Sequence, residues 1–176
     1  MKNYYEVKGD LIKLAYEFDV VAHGCNCYSA MHNGIAPQMV KEFMCDKYKS
    51  ESLQEIGNIN KLGTVECNRL HPNPLIDKKY PMVVNAYTQY YPGPYVNYAA
   101  IELCFYKMNN LFIGKTIGIP QIGCGIAGGD WEIVKKLIHE RLTNVKVVVV
   151  MYDELYNIYD PINKKDYKKF IKFLTS

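Results

Sequence analysis

The sequence lacks several features that would by themselves fix a function class. Its six cysteines, Cys25, Cys27, Cys45, Cys67, Cys104 and Cys124, include no Cys-x-x-Cys pair. Scattered cysteines behind a polar opening, with no secretory leader expected, read as reduced thiols, not as a disulfide framework. His23, Cys25 and Cys27 alternate and so fall on one face of a strand, but no fourth residue completes the tetrahedral set that zinc needs. No metal and no cofactor are expected. Long hydrophobic runs are missing as well. The longest, "VVVVM" at 147–151, falls far short of the ~20 residues that span a bilayer. The opening "MKNYYEVKGD" is polar and has no apolar leader core. A cytoplasmic protein with no membrane partner is the expectation. Charge of one sign is scarce too: Lys and Arg total 21 against 18 Asp and Glu, a formal +3. That is too small a bias to point to nucleic acid as the partner. The basic tail "NKKDYKKFIKF" places its lysines opposite a Tyr167–Phe170–Leu174 stripe, which reads as a solvated helix face.

What is present is an alternation of strand and helix patterns over 176 residues, enough for one domain, 1–176, with a substantial core. Strands are predicted at 3–7, 19–23, 63–70, 82–88, 116–122 and 145–152, the last a β-branched run of the kind buried on both faces. Helices are predicted at 36–48, 96–112 and 130–142, with a last one striped by Tyr167, Phe170, Ile171 and Leu174. "KGD", "GCNC", "HPNPLIDKKYP" and "QYYPGPY" read as turns or loops. This alternation predicts an α/β three-layer sandwich around a mixed, mostly parallel sheet. In such sheets ligands bind beyond the carboxyl ends of the strands.

The stretch "PQIGCGIAGGDW" at 120–131 spells G-x-G-x-x-G through Gly123, Gly125 and Gly128. A dinucleotide fingerprint normally lies in the first strand-to-helix turn, whereas this one follows the penultimate strand and leaves no second half-site. Nor does it have the G-x-x-x-x-G-K-[ST] spacing. Successive glycines just ahead of a helix N-terminus nonetheless make an anion site from backbone N–H groups. A tight turn with no ligand is the alternative.

Four segments in order, "VKGDLIKL", "AHGCNCYSAMHNGIA", "IGIPQIGCGIAGGDW" and "VVVVMYD", resemble those of a macrodomain. The resemblance implies an ADP-ribose cleft. Asp10 would accept from the adenine amino group beside the Leu11 amide, and Tyr152 would stack on adenine or merely cap the core. The amides of Gly123, Cys124, Gly125, Ile126 and Ala127 would hold the diphosphate. Gly34, Ile35 and Ala36 would close the other side, and Asn26 would bond the distal ribose. His32 lies in the same loop, facing either substrate or solvent.

"HGCNC" is similar to the small yeast and phage macrodomains that remove phosphate from ADP-ribose 1''-phosphate, in which a histidine stands three places before the ribose-binding asparagine, as His23 does before Asn26. This implies a metal-independent phosphatase in the cytoplasm, the host's if phage-encoded, acting as a monomer on a small molecule. His23 would be the acid/base or nucleophile, since a histidine titrates near neutrality. Asp130 would orient it. The bland alternatives are a core histidine and a plain helix N-cap. A non-catalytic ADP-ribose binder shares every binding residue. Hydrolases that free ADP-ribosyl groups from protein or nucleic acid use a lysine and an aspartate where this chain has Gln89 and Ala127.

Overall fold

The computed structural model describes residues 3–46, 55–68, 80–153 and 164–176. Six strands form one sheet: β1 (Tyr4–Gly9), β2 (Val20–Asn26), β3 (Val65–Asn68), β4 (Met82–Gln89), β5 (Thr116–Ile119) and β6 (Lys146–Tyr152). Their order is β1-β6-β5-β2-β4-β3. Every neighbouring pair is parallel except β3 with β4 at one edge. Five strands therefore bring their carboxyl ends to one rim.

Among the described residues the α-helices are α1 (Leu11–Leu14), α2 (Ala36–Phe43), α3 (Tyr98–Leu111), α4 (Trp131–Arg141) and α5 (Lys164–Thr175). They cover both faces of the sheet, as the alternating side chains of β6 require. Val147 and Val149 enter a core with Ile101, Phe105 and Met108 of α3 and Val134 and Ile138 of α4. Val148 and Val150 enter a second core with Leu11 and Leu14 of α1, Met39 and Phe43 of α2 and Phe170 of α5. The result is the three-layer α/β sandwich. On α5 the lysines Lys168, Lys169 and Lys172 lie toward solvent while Phe170 is buried, as its stripe requires. Among the described residues no helix is long and apolar enough to cross a membrane.

Several boundaries differ from the sequence pattern, each for a local reason. Asp10 does not simply turn the chain: its carboxylate accepts from the amides of Ile12 and Lys13 and so caps α1, a helix too short to show a periodic stripe. α2 stops at Phe43, because Met44 takes a left-handed conformation (φ 49°). β5 ends at Ile119, since Pro120 has no N–H to continue a ladder. The greatest consequence comes from β2, which runs through Gly24, Cys25 and Asn26 instead of ending at His23. The predicted turn at 71–81 lies mostly outside the described residues.

Candidate functional site

Two adjoining cavities of about 240 Å3 and about 410 Å3 open at the carboxyl rim. They share Gly34, Ile35, Pro120, Gln121 and Gly125, and so form two ends of one cleft. All five parallel strands contribute: Asp10 after β1, Asn26 of β2, Thr88 and Gln89 of β4, Pro120 after β5 and Tyr152 of β6.

The glycine loop forms one wall. Gly123 has φ 78°, which only glycine adopts without strain, and a side chain there would meet Ile101 at 2.8 Å. The Gly129 amide donates to the Gly123 carbonyl at 2.8 Å and the Gly128 amide to Gly125 at 3.0 Å. These bonds fold the loop back on itself. The amides of Gly123, Gly125, Ile126 and Ala127 have no acceptor among the described residues, and all four residues line the cleft. Main-chain donors so grouped favour an anion. Cys124 is the exception. Its amide donates to Gln121 at 3.1 Å, so it braces the turn and is not offered to a ligand. Burial pushes its thiol up to about 11, with Asp130 adding to the rise, so it holds no thiolate at neutral pH.

The opposite wall is the segment after β2. The Asn26 side chain is pinned at both ends to one residue: its Oδ1 accepts from the Ala30 amide at 3.1 Å and its Nδ2 donates to the Ala30 carbonyl at 3.2 Å. Each group retains capacity for a second bond. Gly34, Ile35 and Ala36 follow and open α2, and Ile126 reaches across to Gly34. At the other end, Asp10 and Leu11 lie with Tyr152, a residue 59% exposed at the close of β6. Asp10 is buried, and Oδ1 takes both cap bonds while Oδ2 lies 3.9 Å from Lys13 Nζ.

Three of the residues expected at the site do not reach the cleft. His23 lies within β2, not at its end, and strand alternation sends its ring into the interior, where it is fully buried. Its Nε2 stands 2.8 Å from Asn85 Oδ1, while Asn85 Nδ2 donates to the Cys45 carbonyl at 2.7 Å. The asparagine thus presents its oxygen, and the neutral ring carries its proton on Nε2. The sulfurs of Cys25 and Cys45 lie 3.7 Å from the same nitrogen. Burial pulls the His23 pKa down to about 4, against a smaller upward pull from Asn85. At neutral pH this is an uncharged core histidine, not an acid/base or nucleophile facing a ligand. Asp130 is the N-cap of α4, accepting from Glu132 at 2.8 Å, and lines neither cavity. His32 is exposed and lines neither cavity.

Sequence reasoning also missed lining residues. Thr88 and Gln89 stand where strand-end logic would have found them, at the close of β4. Gln89 donates to the carbonyls of Tyr91 and Gly93 at 2.7 and 3.1 Å and so shapes the Pro92–Gly93 rim.

No family model matches the chain. The 17.5 kDa protein of the tk-vs intergenic region of Enterobacteria phage T4 is 33% identical over 153 residues, 85% of this chain and 96% of the phage protein. Among solved structures, the macrodomain of Mycobacterium tuberculosis DarG superposes with a TM-score of 0.65 at 19% identity, over 85% of this chain and 96% of that one. Thermosipho africanus DarTG, determined in complex with ADP-ribose, gives a TM-score of 0.65 at 18% identity over 100% of this chain and 46% of that one. The fold is that of a macrodomain. The chain belongs to the same family as the phage T4 protein.

Proposed function

We propose that this chain binds ADP-ribose in the cleft at the carboxyl rim. One observation carries the reading: Gly123, Gly125, Ile126 and Ala127, whose amides have no acceptor among the described residues, line the cleft beside Asn26, and Gly125 is shared with the adjoining cavity of Asp10 and Tyr152. A diphosphate fits donors of this kind, and the groups flanking it match a purine and a sugar. The ADP-ribose complex of the Thermosipho africanus protein, which has the same fold, supports the same ligand. Calorimetry tests it: saturable binding of ADP-ribose at one site is expected, and the absence of binding would remove the reading.

Hydrolysis of ADP-ribose 1''-phosphate is the finer reading, supported by the resemblance of "HGCNC" to that branch. Its chemistry would not pass through His23. The polar groups that line that end include Asn26, Asn33, Thr88, Gln89 and Gln121, and these can hold a phosphate and orient a water. The test is phosphate release from ADP-ribose 1''-phosphate. Turnover that persists in His23→Gln is the expected result. Failure of the wild type to release phosphate, alongside intact ADP-ribose binding, would make the protein a binder only.

A further inference from the structure

Lys61 closes the single-turn 3-10 helix Ile59–Lys61, and it is 1% exposed. Lysine is almost never buried to this degree without compensation, since an ammonium removed from water loses its hydration. Its Nζ donates to the Cys27 carbonyl at 3.3 Å and to Ser29 Oγ at 3.0 Å, and stands 5.4 Å from the centre of the Tyr87 ring. The turn it grips is under strain, because Ser29 has φ 55° in a region that side chains other than glycine rarely occupy.

That turn is also the back of the cleft. The Ser29 amide donates to the Asn26 carbonyl at 3.0 Å, and the next residue, Ala30, makes both bonds to the Asn26 side chain. Asn26, Ala30 and Met31 then line the polar end. The Gly57 amide adds a second donor to the Cys27 carbonyl at 3.0 Å, so the 57–61 segment fastens the turn from behind. We infer that Lys61 is a positioning residue for the distal-sugar end of the cleft. It holds Ser29 in its left-handed conformation and thereby fixes where Asn26 presents its amide. The inference rests on the ADP-ribose reading of the cleft.

The test compares two ligands by calorimetry on the full chain: ADP, which lacks the distal sugar, and ADP-ribose. In Lys61→Met the ADP-ribose Kd is expected to rise at least tenfold while the ADP Kd stays within about twofold. Ser29→Ala removes one contact without emptying the buried position, and is expected to give the same split at smaller amplitude. If Lys61→Met does not fold, Ser29→Ala carries the test alone. Equal losses for both ligands would make Lys61 a general stabiliser and overturn the inference. Unchanged ADP-ribose affinity in the folded variants would overturn it too. A wild type that binds ADP but not ADP-ribose would instead remove the reading of the distal end, and a wild type that binds neither would remove the whole cleft assignment.

Discussion

His23 and the glycine loop are the two features of the sequence that most resemble reactive chemistry, and the structure treats them in opposite ways. The histidine sits beneath the cleft with its ring sealed by Asn85, Cys25 and Cys45. The loop stands at the surface and presents main-chain amides. In one region side-chain identity serves packing, and in the other backbone geometry leaves amide donors along the cleft. A reactive residue type therefore carries little functional weight until the strand it belongs to, and the face it points to, are known.

Emptying the buried region gives the largest expected effect. His23→Ala removes a packed ring and leaves Asn85 Oδ1 without its partner, at a cost of roughly 3–4 kcal/mol in unfolding free energy. Urea denaturation measures this. The affinity of the folded fraction for ADP-ribose should remain within about threefold. A large loss of affinity with little loss of stability would reverse the comparison and return His23 to the cleft.

The same histidine sets a pH dependence with a definite sign. Its folded pKa of about 4 lies below its ordinary value of 6.5. Between these values the unfolded chain takes up a proton that the folded chain refuses, so unfolding becomes easier as pH falls. The contribution to stability is complete above pH 6.5, declines below it and is exhausted near pH 4, with a total of up to about 3 kcal/mol. Stability measured across that interval should show the slope in the wild type and a flatter one in His23→Ala. ADP-ribose binding by the folded protein should not follow it.

Much of the architecture was readable from the residues. The β-branched run at 145–152, the stripe on α3 and the helix start at Asp130 all correspond to elements that formed. The carboxyl-rim rule, together with the ordered motifs, placed Asp10, Asn26, Gly34–Ala36, Gly123–Ala127 and Tyr152 around one cleft. What the sequence could not convey was where β2 stops. Glycine and cysteine after His23 resemble a loop, yet Gly24 pairs with Ala86 and Cys25 with Tyr87 as ordinary strand residues. Three additional strand residues turned a strand-end histidine into an interior one. Lys61 was equally hidden, because a lysine in a polar stretch gives no sign that the fold will bury it.

The smallest expected effect lies at the Asp10–Tyr152 end of the cleft. Asp10→Ala loses the α1 cap, worth about 1 kcal/mol, and, on the proposed ADP-ribose reading, one acceptor for the ligand. Affinity for AMP and for ADP-ribose should fall together, by roughly fivefold to tenfold, or about 1 kcal/mol in binding. A fall confined to ADP-ribose would mean that the two ends of the cleft are assigned the wrong way round.

The central claim is that the glycine loop, through its backbone, is the recognition element. Gly125 lines both cavities, and a Cβ there would meet no atom within 4 Å beyond its own chain neighbours. Gly125→Val should therefore leave the fold intact and intrude only on a bound ligand. Calorimetric titration of ADP-ribose into the wild type and Gly125→Val, side by side, is the most direct measurement. One-site binding to the wild type and at least tenfold weaker binding to an equally stable variant is the predicted result. Equal affinity in the two proteins, or no binding by the wild type, would contradict it.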